Sequence, residues 1–195
     1  MKTLLIALLL CATHAGAQTV DLAIGANVAF PKFNAAYGLP DLDGGVGFAA
    51  RLAVVGRSGA AYFGGAATLS YINGSQQIAT TGNGTGGTER RAVVCGKPFY
   101  GAEAIAGASV GPGRLTLRIG GAAGYAAVRL PTYATASRTM HGFSAGVDVQ
   151  PELRITRHTA ILACVAPRYV RVGNGTTTLT AVMVPVMFGL TFRPQ

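Results

Sequence analysis

The chain has 195 residues, of which 16 are Lys or Arg and 7 are Asp or Glu, while half are hydrophobic and 28 are glycine. That charged fraction is about half the roughly 25% of a soluble globular domain, and so apolar a chain is excluded from intrinsic disorder. The glycines keep no three-residue period and interrupt every heptad, which excludes collagen and a coiled coil.

Residues 1–17 read as a secretory signal peptide: Lys2 opens it, 4–12 is an apolar run, and Ala15-Gly16-Ala17 has the small-x-small form of a cleavage site. The run is shorter than the roughly 20 residues of a spanning helix. Cleavage before Gln18 leaves a single domain, 18–195, and lowers the formal net charge of +9 by one. Cys95 and Cys164 remain in a compartment where a disulfide is chemically possible. They fall on non-neighbouring predicted strands, so both thiols are expected free. No CxxC and no Cys/His cluster supports a metal site, and no cofactor is expected.

Turn signals cut the rest into eight predicted strands, 20–30, 46–55, 61–72, 99–110, 115–129, 142–155, 160–172 and 178–192. The connections after the second, fourth and sixth are tight. Those after the first, third and fifth are long, and the one after the seventh, around Gly173-Asn174-Gly175, is short. Such alternation predicts an all-β fold: a transmembrane up-and-down antiparallel β-barrel of eight strands. The segment 76–94 is expected to prolong the third and fourth strands as a hairpin.

Period-two alternation fits this assignment. In the sixth strand Phe143, Ala145, Val147, Val149, Pro151, Leu153 and Ile155 share one face, and Ser144, Asp148, Gln150, Glu152 and Arg154 share the other. The first strand sets Val20, Leu22, Ile24 and Phe30 against Asp21 and Asn27, and the eighth sets Val182, Phe188 and Phe192 against Met183, Met187 and Thr191. The polar face carries almost only Gly, Ala and Ser beside its charges, too small a set to cover a protein surface. The bulky apolar face therefore points to lipid, and the polar face lines a crowded lumen. Parity assigns to that lumen Asp21, Arg51, Glu103, Arg118, Asp148, Glu152, Arg154 and Arg168, four acids and four bases expected to pair as a plug.

Signal peptide, eight amphipathic strands, alternating turn lengths and a last strand ending on Phe192 together resemble the small eight-stranded outer-membrane proteins of Gram-negative bacteria, of the outer-membrane protein A and X type. Such chains commonly finish on the aromatic residue, whereas Arg193-Pro194-Gln195 follows here. The resemblance implies location in the outer membrane, membrane lipid as solvent, the barrel-assembly machinery as partner during insertion, and a monomer.

Lipid A deacylases and palmitoyltransferases also use eight-stranded barrels with a His and a Ser. Here His141 and Ser144 have opposite parity, and no acid on the face of His141 completes a triad. Residues 41–45, Asp-Leu-Asp-Gly-Gly, open like a calcium loop but lack its later ligands. Asn73-Gly74, Asn83-Gly84 and Asn174-Gly175 read as hairpin turns. Most of the seven tyrosines fall towards strand ends, as interfacial girdles require, while Tyr125 is equally placed as a packing residue. Glu89-Arg90-Arg91, with Lys97, Arg129, Arg138 and Arg171, makes the loop end basic: a plain solvated rim, which is the preferred reading, or a surface attracting lipopolysaccharide phosphates. Nucleic acid is not an expected partner, since no aromatic residues interleave these bases. Three functions follow: a non-enzymatic structural or surface-interaction barrel with a plugged lumen, a narrow porin-like channel, and a lipid A-modifying enzyme, of which the first is preferred.

Overall fold

The computed structural model describes residues 18–35, 45–79, 90–130, 138–175 and 177–193. Residues 1–17, read as the signal peptide, and residues 41–44 of the calcium-like segment lie outside them. Nine strands and no helix run through the described residues: β1 (Gln18–Ala35), β2 (Gly45–Ser58), β3 (Ala61–Ala79), β4 (Arg90–Val110), β5 (Leu115–Leu130), β6 (Arg138–Arg154), β7 (Thr159–Val165), β8 (Arg168–Gly173) and β9 (Thr177–Phe192). Sequential strands pair antiparallel from β1 to β6. β9 returns to β1, with Val20 opposite Phe192 at one end and Ala35 opposite Thr177 at the other. Every strand thus has a neighbour on each side, and backbone groups facing lipid are satisfied within the sheet.

The ninth strand is a division of the predicted seventh. Val165 of β7 faces Val149 of β6, and Arg168 of β8 faces Gly146, so the register on β6 continues across the break. It also continues on β9, where Val165 faces Val186 and Arg168 faces Met183. The interruption at Ala166-Pro167 is local: Pro167 has no N–H to give to the ladder. The remaining bonds, from Val147 N to the Pro167 carbonyl (3.2 Å) and from Ala166 N to the Pro185 carbonyl (3.1 Å), keep β7 and β8 in line. They form one stave, and the barrel has eight.

At one end the connections are tight. Ser58 pairs with Ala61 across a two-residue turn whose first residue, Gly59, has φ of 61°, a left-handed conformation that fits a type II′ hairpin. The opposite end carries the longer connections, and β3 and β4 reach furthest towards it, pairing out to Ala79 and Arg90. Asn73-Gly74, read as a turn, instead lies inside this ladder, opposite Gly96 and Cys95. The turn signal is local, whereas the pairing is imposed by the partner strand. Asn174-Gly175 does occupy a connection, with Gly175 at φ 92°. Asn83-Gly84 lies outside the described residues.

The two faces have opposite polarity to a soluble barrel. Val46, Leu115 and Phe188 point outward and are 62%, 58% and 64% exposed, and Leu22, Ile24, Ile119, Phe143 and Leu153 extend this coat around the wall. So large an apolar surface is compatible with lipid and not with water. Inside, the fill is richer than small residues and charges. Phe99, Met140, Val170, Val172, Leu179 and Met183 pack together in the loop-end part of the lumen. Leu162, Cys164 and Met187 follow at mid-height, and Val55, Tyr62 and Ile105 stand on the turn-end wall. Tyr62 therefore departs from the interfacial role expected of the tyrosines, because it shares the inward parity of Ala66 and Ser70 on β3. Tyr71, Tyr100 and Tyr169 do point outward, while Tyr37 and Tyr133 lie outside the described residues.

Two outcomes follow from this wall. The folded chain, electrophoresed from a membrane fraction without boiling, should migrate differently from the boiled sample, and recovery in a soluble periplasmic extract would contradict it. Val147→Arg, on the lipid face at mid-height, should lower unfolding stability in bilayers by about 2–4 kcal/mol, as read by urea denaturation.

Candidate functional site: the charged lumen

The inward rows of six strands bring their charges together in two layers. The middle layer is centred on Asp148 of β6. Its Oδ2 accepts from Arg51 Nη2 of β2 at 2.5 Å, and its Oδ1 from Arg168 Nη2 of β8 at 2.5 Å. Arg168 also directs Nε at both oxygens of Glu103 on β4, at 2.9 and 3.0 Å. Ser144 Oγ donates to Glu103 Oε1 at 2.8 Å, and Arg168 Nη1 to the Val147 carbonyl at 2.7 Å. The Cys164 thiol is free and buried and accepts from Arg51 Nη1 at 3.2 Å. Two acids and two bases are balanced here, as charges removed from water must be.

The second layer lies towards the turns. Arg118 of β5, wholly buried, donates Nη1 to Asp21 of β1 at 2.7 Å, and Thr191 Oγ1 donates to the other Asp21 oxygen at 2.8 Å. Glu152 of β6 receives Arg57 Nη2 on Oε2 at 3.0 Å and Arg193 Nη2 on Oε1. Arg118 Nε stands 3.4 Å from Oε2 without hydrogen-bond alignment. Three guanidinium groups thus converge on one carboxylate.

Beside the middle layer is a cavity of about 20 Å³, lined by Arg51, Ser70, Glu103, Ser144 and Arg168 among others. That is room for about one water molecule, not for a file of them. Above it the apolar group around Phe99 and Met140 fills the lumen towards the loop end.

Seven of the eight charges assigned by parity are buried and lie in these layers. Arg154 is half-buried at the turn-end lip and makes no ion pair among the described residues. Two participants, Arg57 and Arg193, were missed. Both continue the inward rows of β2 and β9 by one step, but they fall in what reads as a turn and a tail. With them the network holds four acids and five bases, so the interior is not the neutral set that parity implied. Asn27 and Tyr62 have buried polar atoms without partners among the described residues.

The His/Ser pair is divided by the wall. Ser144 faces the lumen and is 2% exposed. His141 is outside, where its ring stacks on Tyr125 with centroids 5.9 Å apart and its Nδ1 meets the tyrosine hydroxyl. His158 is at the turn end, with Nδ1 3.3 Å from the Arg193 carbonyl. Among the described residues no group of His, Cys, Asp and Glu is arranged to hold a metal ion.

No protein-family model and no curated protein matches the chain. Solved structures do match. Neisserial surface protein A aligns with 88% of this chain and 96% of its own at 13% identity, with a TM-score of 0.56. The outer membrane protease OmpT from Escherichia coli covers 92% of this chain and 97% of its own at 8% identity and TM-score 0.54. The outer membrane protein OprG from Pseudomonas aeruginosa covers 93% and 97% at 8% identity and TM-score 0.51. At these identities the similarity is one of fold, and the fold is that of the outer-membrane β-barrels.

Asp148 joins three strands through two arginines, so its removal tests the middle layer most directly. Asp148→Asn should lower stability by about 3–5 kcal/mol, the cost of leaving buried charge without its partner, in reversible urea unfolding. The double change Asp148→Asn with Arg51→Met should recover part of that loss, since it removes one of the orphaned cations.

Proposed function

We propose that the chain is an integral outer-membrane barrel without catalytic activity, closed to solutes, acting as a structural element or a surface-interaction platform. The observation that carries this reading is the double obstruction of the lumen, by ion-paired layers and by the apolar group around Phe99 and Met140. An eight-stranded interior is narrow enough for side chains to fill. A channel would need a connected polar path, and the interior cavity beside the middle layer holds about 20 Å³.

The fold alone does not decide against an enzyme, since one structural neighbour is a protease by name. What supports a non-enzymatic reading is the engagement of the candidate groups. Ser144 Oγ is bound to Glu103, and His141 stands across the wall with Tyr125 as partner. A nucleophile needs its base within hydrogen-bond reach.

Contact with the outside then falls to the loop end. Arg129 and Arg171 are exposed there on the outer wall, and the attraction of such charges to lipid phosphates favours lipopolysaccharide as the partner. The barrel needs no second copy to complete its sheet, which supports a monomer.

Purified protein in planar bilayers should give no steady conductance steps, and reproducible openings from single insertions would overturn the plugged reading. Lipid A extracted after overexpression should keep its mass spectrum, and a shifted acyl pattern would overturn the non-enzymatic one.

A further inference from the structure

The two charged layers differ in balance. The middle layer is neutral, whereas at the turn end Arg57, Arg118 and Arg193 engage Asp21 and Glu152, and half-buried Arg154 follows Glu152 on the same inward row. Glu152 is already shared by three guanidinium groups. Further donors remain. Among the described residues the Nε groups of Arg57, Arg154 and Arg193 are buried without an acceptor, as is that of Arg118, whose side chain is 0% exposed. The backbone gathers more charge around this mouth. Arg154 N donates to the Arg114 carbonyl at 2.8 Å and Arg193 N to the His158 carbonyl at 2.8 Å, so the Arg114 and His158 turns border it. Arg114, Arg157 and His158 are exposed there. Of the other five acids of the mature chain, Glu103 and Asp148 are committed to the middle layer, and Asp41, Asp43 and Glu89 lie outside the described residues.

We infer that the turn-end mouth of the lumen is a binding site for a phosphate group. Nε donors without an acceptor among the described residues stand at four chain positions around this mouth, beyond those a single carboxylate can satisfy. A tetrahedral oxyanion offers more acceptor oxygens than a carboxylate and suits guanidinium forks. Such a group enters from the side of the short turns, because the apolar group around Phe99 seals the other. The same phosphate chemistry is carried by free inorganic phosphate and by a phospholipid headgroup of the adjoining leaflet. The site depends on the plug only for its direction of entry, so its failure would leave the reading of a closed barrel standing.

The test is thermal unfolding of the folded mature protein in nonionic detergent micelles, with sodium phosphate titrated against sodium chloride at matched ionic strength. Phosphate should raise the melting temperature saturably and chloride should not. Arg154→Gln, which breaks no ion pair and should fold, is expected to weaken the apparent affinity about tenfold, the loss of one strong charge-assisted contact. Glu152→Gln removes the competing carboxylate and should enlarge the phosphate response, even if the protein starts from a lower melting temperature. Dihexanoyl phosphatidic acid separates the sources: equal responses assign the free anion, and a response to the lipid at concentrations where inorganic phosphate is silent assigns a headgroup. Identical behaviour of phosphate, the lipid and chloride, or an undiminished response in Arg154→Gln, would overturn the site.

Discussion

A guanidinium or carboxylate enclosed in so narrow a lumen must find its opposite there, and this requirement organises the molecule. Backbone ladders tie each strand only to its neighbours. The ion pairs tie strands that never touch through their backbones: Arg51 of β2 to Asp148 of β6, Arg118 of β5 to Asp21 of β1, and Arg168 of β8 to Glu103 of β4. They act as struts across the interior. A one-residue slip of β6 would turn Asp148 and Glu152 into lipid, so the same pairs also fix register.

The two solvents of the wall explain the composition. Lipid takes the large apolar side chains, and the lumen takes what can be packed or paired. Small residues leave room for five arginines to extend inward at mid-height and below, while larger apolar ones occupy the loop-end space. The low charge content of the chain is therefore unevenly used. Among the residues whose side chains are described, charges stand at strand ends, in turns and in the two inner layers, and the middle of the outer wall carries none.

Much of this is legible in the sequence because a strand that separates two environments must alternate. The unbroken parity of β6, from Phe143 to Leu153, reveals both its direction and its two buried acids. Legibility fails where local composition or position along a strand misstates a residue's environment. Tyr62 looks interfacial by position, yet β3 turns it inward. Asn73-Gly74 has the composition of a turn, yet β4 continues alongside it. Arg57 and Arg193 obey the inward parity, but a strand boundary drawn where apolar alternation ends excludes them, although the backbone keeps its direction for one more step. The inner methionines of β9 were visible by parity, but their role as fill requires Phe99 and Met140 from strands far away in sequence.

The break between β7 and β8 shows how closely the charged layer and the ladder are joined. Without Pro167, the strand would continue its bonds to Val147 in both directions. The proline carbonyl still accepts from Val147 N at 3.2 Å, but the return donor is missing, and a membrane wall supplies no water to replace it. Arg168 is the next residue and points inward. Its Nη1 reaches the Val147 carbonyl at 2.7 Å, while its Nη2 and Nε hold Asp148 and Glu103. One side chain thus supplies a ladder donor and two ion pairs. A proline is tolerated in the middle of this stave because the residue that neutralises the lumen acids stands beside it, and five donors on a planar group allow both tasks at once.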